Sequence, residues 1–189
     1  DCGSLSSASL GRLPRGRTFL RGGIEAVFQE IGSEEFWILL GKVREGEKKR
    51  EAYTQALQRR PHYPWAYFVR GALRQEANDW DGAILDYDAA LQIHPHLAWI
   101  YFNRGTAWHA KGDRKRAIED YSETLRLDPH HFQAYFNRGT AYPYEQRTTL
   151  ALQDINASIQ ENPRFAAAYY MRGLLRQLKG ESEQAESDF

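Results

Sequence analysis

The chain contains 189 residues, and its 25 basic and 25 acidic side chains leave no formal net charge. Nucleic acids and anionic membranes attract proteins with a basic excess, so neither is expected to be the main partner. The single cysteine, Cys2, excludes an internal disulfide framework, and no apolar run approaches the roughly 20 residues that cross a bilayer.

Residues 1–23 form a lead-in rich in serine, arginine and glycine, with no acidic residue after Asp1. Such a segment buries too little apolar surface to offset the entropy lost on ordering, so we predict a flexible linker. Two targeting alternatives stay open, an organellar transit peptide and the start of a bacterial lipoprotein at Cys2. Localisation is otherwise undetermined, with the cytoplasm as the default. The start at Asp1 instead of methionine indicates a processed form or a piece of a longer protein.

Residues 24–63 are predicted to hold an N-terminal helix and a degenerate first repeat. Apolar residues at helical spacing over 24–31 predict an amphipathic helix. Two further helices, over 36–44 and 47–60, are predicted to form an irregular pair that ends at Pro61, because proline lacks the amide that would continue a helix.

From Pro61 onwards, four kinds of residue recur at a spacing of 34. The recurring residues are Pro61, Pro95, Pro129 and Pro163; Tyr67, Tyr101, Tyr135 and Tyr169; Gly71, Gly105, Gly139 and Gly173; and Ala83, Ala117, Ala151 and Ala185. A period of this length predicts a solenoid of stacked helix pairs. The predicted units are 64–97, 98–131, 132–165 and an incomplete 166–189.

Each unit is predicted to contain an aromatic-rich first helix, a turn and a second helix. The turns are expected at 78–79, 111–113, 145–147 and 179–181. The glycines fall in the middle of the first helices, where glycine costs about 1 kcal/mol relative to alanine. A cost repeated in every unit indicates that the second helix crosses there at close range, with its alanine on the other side of the contact.

Residues 101–129 carry the motif Tyr-Phe-Asn-Arg-Gly-Thr-Ala-Trp, followed by Gly-Asp, Ala-Ile-Glu-Asp-Tyr, Thr-Leu and Asp-Pro. This motif and its three relatives resemble the tetratricopeptide repeat (TPR). The resemblance implies an all-α fold, a right-handed α-solenoid of antiparallel helix pairs known as the TPR superhelix. It also implies a non-catalytic scaffold for protein–protein interaction, without a cofactor, that binds a peptide segment of a partner in its concave groove.

In tetratricopeptide proteins, the first helices of successive units line this groove. Residues rotated by about 100° from the packed tyrosine and glycine positions are therefore expected to face it. The predicted groove residues are Trp65, Phe68, Trp99, Phe102, Asn103, Thr106, His109, Gln133, Phe136, Asn137, Thr140, Tyr170 and Met171. The alternative for the repeating phenylalanines is that they pack between helices.

Asn103 and Asn137 are the most specific pair in this set. A carboxamide both donates and accepts hydrogen bonds, so two of them 34 residues apart could bind the backbone of an extended peptide. Trp65, Trp99 and Phe136 would then supply apolar pockets, because aromatic residues dominate the energetics of interfaces. The alternative is that both amides are bonded only to water.

Some tetratricopeptide relatives hold a C-terminal carboxylate with a clamp of lysines, asparagines and an arginine. The resemblance places that clamp at positions which are neutral in this chain, so a carboxylate clamp is not expected. These positions are Phe68, Ala72, Gln133, Ala167 and Met171.

Four arginines repeat in step with four aspartates that lie sixteen residues later. The pairs are Arg70 with Asp86, Arg104 with Asp120, Arg138 with Asp154, and Arg172 with Asp188. Because buried charges need partners, this reciprocal spacing predicts an ion pair between the two helices of each unit.

His62, His96 and His130 also repeat every 34 residues, but equivalent points on packed helices lie about 10 Å apart. That is too far for one metal ion with ligands near 2.1 Å, so no metal site is expected. The sequence contains no nucleophile–base pairing, phosphate loop or HExxH motif, so catalysis is not expected either.

Alternatives to a free-standing scaffold remain open at this point. The chain could be a regulatory or substrate-docking arm of a larger enzyme, or a bacterial TPR lipoprotein acting as an envelope adaptor. Residues 1–23 could also occupy the groove. Terminal repeats normally carry a polar cap, and the last unit shows none, which predicts truncation or self-association through the uncapped C-terminal repeat. The protein or peptide partner is not identified by the sequence.

Overall fold

The computed structural model describes residues 46–142 and 147–189, and this part of the chain consists of helices joined by short connections. The helices are α1 (Gly46–Arg59), α2 (Pro64–Glu76), α3 (Trp80–Ile93), α4 (Ala98–Ala110), α5 (Arg114–Leu127), α6 (Phe132–Ala141), α7 (Arg147–Glu161), α8 (Ala166–Lys179) and α9 (Ser182–Glu186). The lead-in predicted over 1–23 and the helices predicted over 24–31 and 36–44 lie outside the described residues.

The chain divides into two compact units, Asp1–Ala52 and Tyr53–Phe189. In the first unit, only the opening turns of α1 are described. In the second unit, α2 packs on α3, α4 on α5, α6 on α7 and α8 on α9, and each second helix packs on the first helix of the next pair. The predicted all-α solenoid of helix pairs is confirmed.

Local signals explain where the helices begin and end. Pro64 opens α2, where its missing amide costs nothing because the first turn has no internal acceptor for it. The Asp79 carboxylate accepts the Gly82 N–H at 3.0 Å and caps α3, and Asp113 caps α5 in the same way. The periodic prolines follow the ends of α1, α3, α5 and α7 by two residues. Because these connections are short, consecutive helix pairs can pack directly on one another.

Close contact between the two helices of a unit is seen at Gly105 in α4. A Cβ atom added to Gly105 would lie 3.0 Å from Cε1 of Tyr121 and 3.1 Å from Cβ of Asp120. The predicted close approach of the second helix is therefore present. The nearest atoms at Gly105 belong to Tyr121 and Asp120, whereas the prediction named Ala117. At Gly139 the prediction holds, because the nearest atom is the carbonyl oxygen of Ala151, at 3.3 Å.

Candidate functional site

The predicted site residues lie on the first helices α2, α4, α6 and α8, and we call the side of these helices on which the spacing predicts them the groove face. Most of them are partly exposed, as a binding surface requires: Trp65, Trp99, Phe102, Asn103, Thr106, His109, Phe136, Asn137, Thr140 and Met171. Gln133 and Tyr170 are exposed. Phe68 is only 8% exposed, so the expectation that its side chain is open to the groove is wrong.

The reason for the burial of Phe68 is an aromatic cluster between the first two regular units. Its ring meets the Trp99 ring edge-on, with centroids 4.2 Å apart. Trp65 also contacts Trp99, at a centroid distance of 5.2 Å. Such edge-to-face pairs add stability beyond their buried area. The alternative that these aromatics pack between helices therefore holds for Phe68, whereas Trp65 and Trp99 combine packing with partial exposure.

The same contact recurs one and two units later with different partners. Phe102 lies 4.6 Å from the His131 ring, and Phe136 lies 5.0 Å from the Phe165 ring, measured between centroids. In each case the second ring belongs to the residue that directly precedes the first helix of the next pair, α6 or α8. The phenylalanine position therefore seals the junction between consecutive units, and it leaves only part of each ring available to a ligand.

Between these aromatic junctions, the centre of the groove face is polar and uncharged. The Asn103 amide Nδ2 donates to the Trp99 carbonyl at 2.6 Å, which fixes the carboxamide on its own helix. Thr106 and Thr140 likewise donate their hydroxyls to carbonyls of their own helices, each at 2.9 Å. These bonds use one donor per side chain, so the Asn103 carboxamide oxygen still has acceptor capacity for a ligand.

Below this polar centre lies Tyr121, whose side chain is fully buried. Burial raises the pKa of Tyr121 to about 12, and the neighbouring Thr106 and Asn137 act in the opposite direction. The phenol is therefore neutral at physiological pH. His109 is neutral as well, since burial, followed by the charge of Arg114, lowers its pKa.

The arginine–aspartate pairs are confirmed in all four regular units. Arg138 Nε donates to Asp154 Oδ2 at 2.7 Å, and its Nη2 donates to Oδ1 at 2.8 Å. Arg70, Arg104 and Arg172 make the equivalent two-nitrogen contacts. Each guanidinium also lies 5.1 to 5.9 Å from the centroid of the periodic tyrosine ring. These arginines are structural, and they do not offer a basic stripe to a ligand.

The third nitrogen of each arginine makes a contact that we did not predict. It reaches back to a small polar residue sixteen positions earlier, on the second helix of the preceding unit. The acceptors are Thr54, Asp88, Ser122 and Asn156. Their regular spacing of 34 was visible in the sequence, but four different residue types concealed it. Each arginine thus joins three helices.

The histidines near the unit junctions have separate structural roles. His130 Nδ1 lies 2.9 Å from Glu161 Oε2, and the carboxylate raises the pKa of His130. His131 Nδ1 accepts the Ala134 N–H at 3.3 Å and caps α6. Within 46–142 and 147–189, no cluster of three histidine, cysteine or acidic side chains is arranged to hold a metal ion.

We predict that acidification weakens the fold through His131. Burial lowers its pKa below the ordinary value of 6.5, so the folded state favours the neutral ring that can accept the Ala134 N–H. The stabilisation from the neutral His131 ring is fully present above pH 6.5 and is lost as the pH falls below that value. The reason is that the unfolded state then binds a proton more readily than the folded state does. Urea unfolding of wild type and His131→Asn at pH 7.5 and 5.5 checks this, since asparagine keeps a capping acceptor without titrating.

His130→Asn is the matched control for this pH dependence. The pKa of His130 in the wild type is raised, so this residue contributes stability at low pH, and that contribution is lost as the pH rises. His131→Asn should therefore reduce the loss of stability on acidification, whereas His130→Asn should increase it. An unchanged pH dependence in His131→Asn would contradict the assignment.

In the described part of the chain, no helix has both the length and the apolar character needed to cross a membrane. Models of two repeat families match the regular units. One is described as a TPR repeat and matches residues 71–112, and the other is described as a tetratricopeptide repeat and matches residues 98–131. These matches identify residues 71–131 as tetratricopeptide repeats.

Solved TPR proteins share the fold at low sequence identity. MamA 41-end from Desulfovibrio magneticus RS-1 is 15% identical, with a TM-score of 0.74 over 89% of this chain and 92% of that one. YrrB, described as a TPR protein with an unusual peptide-binding site, is 20% identical, with a TM-score of 0.69 over 88% of both chains. The first TPR of Spaghetti (RPAP3), bound to the HSP90 peptide SRMEEVD, is also 20% identical, with a TM-score of 0.60 over 62% of this chain and 93% of that one. No curated protein sequence matches this chain.

Proposed function

We propose that this TPR protein is a non-catalytic scaffold that binds a peptide segment of a partner protein on its groove face. The fold and the family support a protein-interaction module. The observation that carries the more specific proposal is the pair Asn103 and Asn137, which occupy equivalent, partly exposed positions on the successive helices α4 and α6.

The neighbourhood of the pair suits a peptide backbone. Packed helices lie about 8–10 Å apart, a span that about three residues of an extended peptide cover at roughly 3.3 Å each. Two carboxamides at this separation can bind backbone groups without selecting particular side chains. Trp99 and Phe136 lie on the same face and add partly exposed aromatic surface for ligand side chains.

Two neighbours, YrrB with its peptide-binding site and Spaghetti with its bound HSP90 peptide, support this class of ligand. The HSP90 peptide in the Spaghetti complex contains three acidic residues. None of the predicted groove residues of the present chain is a lysine or an arginine. The proposal is therefore peptide binding without a clamp for acidic side chains.

The test uses peptides selected from a random 12-residue display library with the 189-residue chain as bait. The double variant Asn103→Ala/Asn137→Ala should weaken binding of a selected peptide about tenfold, because each lost hydrogen bond contributes roughly 0.5–1.5 kcal/mol. Fluorescence anisotropy measures the affinity, and a thermal melt followed by circular dichroism verifies the fold.

The matched control is Gln92→Ala/Gln153→Ala, which removes two exposed carboxamides from the second helices α3 and α7. This variant should bind as the wild type does. If both double variants melt normally and bind with equal affinity, the asparagines do not hold the ligand.

A further inference from the structure

The connection between α4 and α5 and the first turn of α5 carry four exposed cations. We call these side chains the basic patch: Lys111, Arg114, Lys115 and Arg116. The last three of them open α5 and have no counterpart in the other regular units, which hold no lysine or arginine at the equivalent positions 80–82, 148–150 and 182–184. The basic patch is therefore specific to one unit, and the fold of the repeat does not require it.

Basic residues at the start of α5 work against the helix itself. The amide end of a helix carries a partial positive charge, so acidic side chains are favourable there and basic ones are unfavourable. The other second helices α3 and α9 follow this rule, with Asp81 and Glu183 in their first turns, whereas α5 has no acidic residue in its first turn. Sequences depart from such local preferences mainly at functional sites.

Two cations of the basic patch are held in place by their neighbours. Arg116 Nε lies 3.4 Å from Asp113 Oδ2, and the guanidinium carbon of Arg116 lies 4.4 Å from the centroid of the Trp108 ring. Lys111 Nζ pairs with Asp81 of the preceding unit and lies 5.4 Å from the same ring. Because cations are attracted to the face of an indole ring, Trp108 restrains both side chains. Restrained side chains lose less entropy when a ligand binds.

The other two cations, Arg114 and Lys115, are exposed and form no ion pair with any described residue. They can therefore pair with carboxylates of a ligand without breaking a contact within the chain. The Asp113 carboxylate already accepts the Arg116 N–H at the start of α5. The attraction for an anion thus comes from the basic side chains and not from this capped amide.

An acidic surface borders the basic patch and limits what can bind there. The corresponding part of the preceding unit contains the exposed residues Glu76, Asp79 and Asp81, and Asp81 contacts Lys111. A long polyanion such as a nucleic acid would bring phosphates close to these carboxylates, and like charges repel. A short acidic segment can pair with the basic patch and end before it reaches them.

We infer that the basic patch binds a short acidic segment of a partner protein. Arg114 and Lys115 form new ion pairs with this segment, and Arg116 adds a charge that Trp108 already restrains. None of the four cations belongs to the predicted groove residues, so this is a second interaction surface. The inference does not depend on peptide binding at the groove face.

The probe is a fluorescein-labelled peptide of twelve residues with four glutamates among glycines and serines, compared with a version in which glutamine replaces each glutamate. At about 0.05 M salt the 189-residue chain should bind the glutamate peptide saturably, and binding should weaken as salt screens the charges. Fluorescence anisotropy measures both affinities. In NMR spectra, the indole N–H signal of Trp108 should shift, whereas those of Trp65 and Trp99 on the groove face should not.

The double variant Arg114→Gln/Lys115→Gln should weaken the glutamate peptide about fivefold, the effect of losing two exposed ion pairs. It should melt at the same temperature as the wild type or higher, since it removes charges that the start of α5 disfavours. The matched control is Arg126→Gln/Arg164→Gln, which removes two exposed cations elsewhere and changes the net charge equally. This control should bind as the wild type does.

Equal binding of the glutamate peptide by the two double variants overturns the inference, and so does equal binding of the glutamine version. Tighter binding of a single-stranded DNA of twelve nucleotides, lost in Arg114→Gln/Lys115→Gln, would assign the basic patch to nucleic acid instead. Self-association at low salt that disappears in the same variant would identify a second copy as the occupant and also overturn the inference. A failed peptide selection at the groove face leaves this result unaffected.

Discussion

Asp154→Ala is expected to lower the free energy of unfolding by about 3–5 kcal/mol, because it leaves a largely buried guanidinium without its carboxylate. The side chains of Asp154 and Arg138 are 8% and 20% exposed, so water replaces little of the lost interaction. After the substitution, Arg138 keeps only the Ser122 hydroxyl, at 3.0 Å, among its side-chain hydrogen-bond partners on neighbouring helices. Urea unfolding at pH 7, followed by circular dichroism, measures the loss.

The equivalent change Asp120→Ala should cost about 1 kcal/mol less, because the surviving partner of its arginine is a carboxylate and not a hydroxyl, and a partly exposed ion pair contributes up to about that much. Its arginine, Arg104, still pairs with Asp88 Oδ1 at 2.5 Å.

The double change Arg138→Met/Asp154→Leu should recover most of the stability that Asp154→Ala loses, because it removes both charges together. Glu123→Ala, which breaks an exposed pair with Arg126, should have no measurable effect. Equal losses in Asp154→Ala and Glu123→Ala would show that the buried pair is not needed.

Gly105→Val is expected to lower the free energy of unfolding by about 3 kcal/mol, at the upper end of the usual cost of overpacking. Even a single added carbon would lie 3.0 Å from the Tyr121 ring, and that ring is fully buried. Valine has a better helix propensity than glycine, so propensity alone predicts a small gain. Steric exclusion should therefore outweigh propensity, as chemical denaturation can show.

Ala110→Val in the same helix is the matched control, because Ala110 is exposed and its substitution also adds methyl groups. It should change stability by no more than about 0.5 kcal/mol, which is typical of surface positions. A Gly105→Val protein as stable as this control would refute the proposed close approach of α4 and α5.

The sequence was sufficient to predict the helix pairs and their ion pairs, because both follow from spacing. A period of 34 residues identifies the units, and Arg104 with Asp120 repeats in every one of them. The backward contact to Asp88 was missed because its equivalents share only small size and polarity. A repeat in which only the chemical role of a position recurs is harder to find in a sequence than a repeat in which the residue type recurs.

The groove face was only partly predictable. Helical spacing determines the angle at which a side chain leaves its helix, but it does not tell which neighbour covers it. Phe68 has the angle expected of a groove residue and is nevertheless covered by Trp99. Asn103 has the angle expected of a groove residue as well, and it remains partly exposed. Whether a side chain at this angle stays exposed therefore depends on contacts between units.

The backward reach of the arginines bears on how such an array can lengthen during evolution. The two partners of Arg104 lie sixteen residues before and sixteen after it, so one 34-residue stretch contains the whole set. A tandem gene duplication of that stretch copies donor and acceptors together. The new copy therefore already contains the residues that pair with the neighbouring unit, and the array can lengthen without a new kind of contact.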